Sequence, residues 1–154
     1  MSLLTLAPGE TSISRIVSCI RQLVQYEQTM PAPLTASLVS DVALNNISTY
    51  FPGPSIAQGT VGTWYVSASA TFRDTAAAAL FELVISDGTT IIASGGTSSF
   101  AGGAFIHMCL SGVITSPANN LRITARDFTN TTGQMMATLT GFGHDTMITA
   151  FRIG

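Results

Sequence analysis

The stretch "GTWYVSASATF", Gly62–Phe72, alternates without a break. Trp64, Val66, Ala68, Ala70 and Phe72 fall on one side of an extended chain. Tyr65, Ser67, Ser69 and Thr71 fall on the other. Side chains of a strand point to opposite faces in turn, so this pattern describes an antiparallel strand with one face in a core. A helix would scatter the same residues around its circumference.

Working outward, the flanking segments read the same way. "DVALNNISTYF" (41–51) is expected to be a strand, closed by the breaker "PGPS". "AALFELVIS" and "TTIIAS" form two β-rich arms around Asp87-Gly88, which signals a type I′ hairpin turn. "GGTSSFAGG" (95–103) reads as a flexible loop. "AFIHMCLSGVIT" (104–115) is apolar on both faces, with Phe105, His107 and Cys109 on one side and Ile106, Met108 and Leu110 on the other. Such a strand is buried twice: once in a core, once against something else. "LRITARDF" turns Leu121, Ile123 and Ala125 inward. "QMMATLTGFG" and "MITAFRIG" complete eight strands, with turn signals every 8–12 residues. The expected fold is all-β, an eight-stranded antiparallel jelly-roll sandwich. No fixed repeat period marks a propeller or solenoid.

One segment breaks the pattern. "TSISRIVSCIRQLVQYEQT" (11–29) spaces Ile13, Ile16, Ile20 and Leu23 at helical intervals, flanked by Val17 and Val24. Glu10, Thr11 and Ser12 suit its N-terminal cap, and "MPAPL" stops it. The chain therefore reads as an N-terminal arm over 1–33, holding one short amphipathic helix and a proline linker, and a β-sandwich over 34–154. A helix this short is marginal alone. Its stripe has to be buried, against its own domain or against copies of itself and partners; the stiff linker favours the second.

Charged residues make up only 9% of the 154, against about 25% in a typical domain. The chain has no lysine; its six cations are all arginine, and polarity comes from Ser, Thr, Asn and Gln. A surface this poor in charge suits close contacts between subunits. Net charge is −2 with no basic run, which argues against nucleic acid as a partner. No apolar run is long enough to span a membrane. The N-terminus has no secretion-signal pattern, so assembly in a cytoplasm is expected. In a reducing compartment Cys19 and Cys109 are expected to be unpaired, buried small hydrophobes.

Catalytic chemistry is not expected. His107 and Cys109 share a face and could contact each other or a metal, but two ligands do not make a zinc site, and an interface or core role is the plainer reading. His144 and Asp145 sit in a turn between glycines. Asp74, Glu82, Asp87, Asp127 and Asp145 are scattered among turns rather than paired as a glycosidase requires. "FRD" and "ARD" repeat an Arg-Asp pair at strand ends, read as local ion pairs. "SGGTSSFAGG" lacks the lysine and helix of a phosphate loop. No cofactor is expected.

Three segments, "GTWYVSASATFRD", "LFELVISDGTTIIASGG" and the terminal "TMITAFRIG", give residues 40–154 a layout that resembles the trimeric jelly rolls of the tumour-necrosis-factor and complement globular-head type. The layout is also similar to small virion surface proteins of tailed bacteriophages, and "SRIVSCIRQLVQYEQ…PAPL" is similar to their N-terminal adaptor helices. The resemblance implies a homotrimer packed through apolar sheet faces, with Ile13, Ile16, Val17, Ile20, Leu23 and Val24 on the helix and Phe105, His107 and Cys109 on the sheet as interface residues. It implies a structural protein on the virion surface that decorates or cements the capsid, or seats a fibre, with the major capsid protein or another virion protein as partner. The alternative is a fibre tip that reads a receptor or glycan through loops carrying Phe100, Phe128, Phe142 and His144.

Overall fold

The computed structural model describes residues 12–29, 31–138 and 145–154. The chain divides into two compact units, one ending at Pro31 and the other running Ala32–Gly154. In the first unit, α1 spans Ser12–Thr29. Pro31 and Pro33 follow it, and proline cannot continue a helix. Ile13, Ile16, Val17 and Ile20 are all exposed, from 40% for Val17 to 73% for Ile13. Thr11 and the side chains of Leu23 and Val24 lie outside what is described.

The second unit holds ten strand segments among the described residues: β1 (Leu34–Ser37), β2 (Val42–Leu44), β3 (Phe51–Ile56), β4 (Thr63–Asp74), β5 (Leu80–Ser86), β6 (Ile91–Ser98), β7 (Phe105–Thr115), β8 (Leu121–Asp127), β9 (Gly133–Met136) and β10 (Met147–Arg152). They fill eight rows. In one sheet β4 is the axis. One of its edges pairs with β7, from Thr63 opposite Thr115 to Arg73 opposite Phe105. Its other edge pairs first with β10, Trp64 opposite Arg152 to Ser69 opposite Met147. It then continues with β9, Thr71 opposite Met136 to Asp74 opposite Gly133. So β9 and β10 are one row interrupted by an excursion. β1 on β10 and β2 on β9 form the next interrupted row. The second sheet runs β3-β8-β5-β6, antiparallel throughout. Two four-row antiparallel sheets make the expected jelly-roll sandwich.

The core lies between the sheets and follows the alternation read from the sequence. Val66, Ala70 and Phe72 of β4 are fully buried, as are Leu121, Ile123 and Ala125 of β8 and Ile148 and Ala150 of β10. The rings of Phe72 and Phe81 stack across the two sheets at 5.0 Å between centroids, 9° from parallel. Each buried side chain of this size contributes about 2 kcal/mol by leaving water.

Four local readings are corrected. The segment 41–51 is not one strand: Leu44 ends β2, and a turn leads to β3. "PGPS" is not a breaker but lies inside β3. β3 is a sheet edge with a register shift between Pro52 and Ser55, and an edge strand tolerates prolines because no neighbour needs their missing N–H. The loop placed at 95–103 is shorter. Gly95 and Gly96 are paired within β6, opposite Leu83 and Glu82; a Cβ on Gly95 would come to 3.0 Å from Leu110 Cδ2, so a larger residue there would make the leucine shift. The Asp87-Gly88 turn is four residues long. Only Gly88 has positive φ, so it is not type I′; Asp87 Oδ1 instead accepts the Thr89 and Thr90 N–H groups at 2.8 and 2.6 Å.

Candidate functional site

Two surfaces of the sandwich carry organised side chains. The first is the outer face of the β4 sheet. Registers place Tyr65 between Val113 and Phe151, Ser67 between Ser111 and Thr149, Ser69 between Cys109 and Met147, and Thr71 opposite His107. None of these outward residues is Asp, Glu, Lys or Arg. The Tyr65 and Phe151 rings lie 6.5 Å apart, and Val113 beside them is 55% exposed. At the far end the Arg73 guanidinium lies 5.2 Å above the Phe105 ring.

Of the three sheet residues singled out from the sequence, the structure joins His107 and Cys109, with Thr71 beside them, while Phe105 meets Arg73 instead. The Thr71 hydroxyl meets His107 Nδ1 at 3.0 Å, and His107 Nε2 lies 3.4 Å from Cys109 Sγ. The reading of both cysteines as buried is overturned: Cys19 and Cys109 are free and exposed. On β7 the inward position is taken by Met108, which is buried, so period-two alternation turns Cys109 out.

The second surface is the outer face of the β5 sheet, and here the sequence reading singled out Phe128 but missed the pairing of Glu82 with Arg126. Glu82 stands opposite Arg126 on one side and Gly96 on the other. Arg126 donates from Nε and Nη2 to Glu82 Oε2 at 2.8 and 2.7 Å. Its guanidinium lies over two rings, 4.7 Å from the centre of Tyr50 and 4.9 Å from that of Phe128. The Tyr50 phenol also lies close enough to Glu82 to influence its charge. Burial opposes the Glu82 charge, but the Tyr50 and Arg126 contacts outweigh it and hold its carboxyl below the usual range. Burial, then the glutamate beside it, pushes the Tyr50 phenol up. Glu82, Arg126 and Phe128 border an open groove of about 550 Å³ that also includes Leu80, Ser94 and Ser98.

The two Arg-Asp repeats do not form local ion pairs. Adjacent strand residues face opposite ways, so Arg126 turns out to Glu82 while Asp127 turns into the fold. Asp127 Oδ1 accepts the Thr129 and Asn130 N–H groups, and Asp74 Oδ1 accepts those of Ala76 and Ala77. Asp87 is the third buried turn carboxylate. The signal for all three was available, an Asp at the end of a strand run with a hydroxyl residue one or two positions on, which is the pattern of a side chain closing its own turn.

Of the loop aromatics, Phe100 is 94% exposed and away from the groove, Phe128 borders it, and Phe142 and His144 lie outside the described residues. No described helix is long and apolar enough to cross a membrane.

No protein-family model matches the chain, and no curated protein matches it in sequence. Solved structures do match in fold. Eiger TNF from S. frugiperda aligns over 79% of this chain and 92% of its own, at TM-score 0.51 and 8% identity. A chain of infectious bursal disease virus, Gx strain, aligns over all of this chain and 38% of its own, at TM-score 0.43 and 8% identity. The C-terminal CBM6 of LamC, a laminarinase of Zobellia galactanivorans, covers 79% of this chain and is itself wholly covered, at TM-score 0.35 and 7% identity. At such identities the likeness concerns fold alone. The alignment with Eiger TNF shows that the chain has a jelly-roll fold.

Proposed function

We propose that this is a non-enzymatic structural protein of a phage virion surface. It acts as a homotrimer that decorates or cements the capsid or seats a fibre, built in the host cytoplasm and held through α1 and the outer face of the β4 sheet. The observation that carries this reading is the scarcity of charge on the outer β4 face, where Arg73 stands at one end over Phe105. A soluble sheet face left to water is ordinarily studded with charge. Here Tyr65, Cys109, Val113 and Phe151 stand outward among serines and threonines. The exposed isoleucines of α1 supply a second surface of the same character. The virion setting rests on the resemblance in layout and on the short lead helix, with the major capsid protein or another virion component as the binding partner. Contacts between such faces are apolar and hydroxyl-rich, so assembly should depend weakly on salt.

Light scattering on the purified chain tests the assembly. Three times 16.0 kDa is expected. Val113→Arg, which sets a charge in the middle of the apolar end of the face, should shift the protein to the one-chain mass with the fold intact. A one-chain mass for the unaltered protein under all salt conditions would sink the trimer.

A further inference from the structure

We infer that the groove on the outer face of the β5 sheet is a binding site for a neutral saccharide. The inference is independent of the trimer, since every residue involved belongs to one sandwich. Three features carry it. The first is the charge balance. Arg126 is neutralised by Glu82 through two hydrogen bonds to one carboxylate oxygen. A site selecting phosphate or carboxylate would leave its guanidinium open; this one presents a donor and an acceptor side by side with no net charge, the match for adjacent sugar hydroxyls. The second is the aromatic wall. Phe128 is 53% exposed and is fixed in place by stacking on Arg126. An anchored ring offers an apolar face to the C–H face of a pyranose with little ordering cost. The third is the floor. Gly96 stands directly opposite Glu82 in the sheet and places no side chain there, while the Ser94 and Ser98 hydroxyls line the same strand. The result is an open trough that accepts a flat ring within a chain, rather than a closed pocket for a small metabolite.

The occupant is thus an uncharged glycan with adjacent hydroxyls. On a trimer held through the opposite sheet, three such troughs would face solvent, and weak single-site binding would be multiplied by attachment to a polyvalent surface.

The test is an array of neutral and sialylated glycans probed with the full-length protein, followed by titration calorimetry with the best-bound neutral glycan. Binding confined to neutral glycans is expected. Phe128→Ala should weaken it about tenfold, and Glu82→Gln should weaken it while the thermal midpoint stays within a few degrees. Phe100→Ala, on an exposed loop away from the groove, should leave binding unchanged. The assignment is overturned if no neutral glycan binds, if sialylated glycans are preferred, or if Phe128→Ala binds as well as the unaltered protein. None of these outcomes bears on the particle mass, so failure of the groove and failure of the trimer are told apart.

Discussion

Replacing Ile16 and Ile20 together by Asp is expected to take the particle from three chains to one while the β-signal in circular dichroism stays intact. Both side chains are exposed, at 58% and 53%, and lie four residues apart on one side of α1. At 18 residues the helix is about 27 Å long, too short to be stable without burying that stripe. Burying an isoleucine is worth roughly 1.5–3 kcal/mol. Losing two of them in each subunit weakens association roughly a hundredfold or more. The introduced carboxylates add a desolvation cost on top. The check is light scattering beside far-ultraviolet circular dichroism. If the double variant keeps the three-chain mass, the helix is not the zipper. If it unfolds the sandwich, the helix belongs to the core of its own domain.

The second large effect is expected at Asp87. Its carboxylate is 1% exposed and receives three backbone N–H groups: those of Thr89 and Thr90 on Oδ1, and that of Ala118 on Oδ2 at 2.7 Å. It therefore closes its own turn and ties that turn to the segment after β7. Asp87→Ala leaves all three donors without their acceptor and should cost about 3 kcal/mol, read as a lowered urea midpoint. Asp87→Asn keeps an acceptor on Oδ1 and should cost less. The Thr90 N–H contact leads the causes that hold the Asp87 carboxyl below its ordinary value. The sign follows from that depression. The charged form is favoured by the folded state, so the stabilisation is fully present above the unfolded-state pKa, about 4. It is lost as pH falls from there through the lower folded value. Asp74 and Glu82, also depressed, act in the same direction. Stability should be flat from neutrality to about pH 5 and drop steeply below about pH 4, and the drop should be shallower in Asp87→Ala. A protein equally stable at pH 3 and pH 7 would contradict this.

The sandwich was readable from sequence because burial on one face imposes period two, and Gly62–Phe72 shows that period undisturbed. The same rule separated Ile106, Met108 and Leu110 of β7 from Phe105, His107 and Cys109, but only the structure decided that the first set faces the core and the second is exposed. Where it failed, the missing information was pairing. "PGPS" is a strand because β3 is an edge, and edge status belongs to the sheet rather than to the segment. Likewise β9 and β10 are one row because both lie against β4, whereas along the chain they read as two strands.

The sequence by itself determined the all-β class, the inward residues, the isolated helix with its apolar stripe and the scarcity of charge, since each depends only on local spacing or composition. Only the tertiary structure decided that Arg126 is held by Glu82, 44 residues away along the chain, rather than by its neighbour Asp127. It also decided that the guanidinium lies over the rings of Tyr50 and Phe128 and that Gly96 opens a trough beside it. Those contacts join separate strands of one sheet, and their partners are set by register, which no single strand carries.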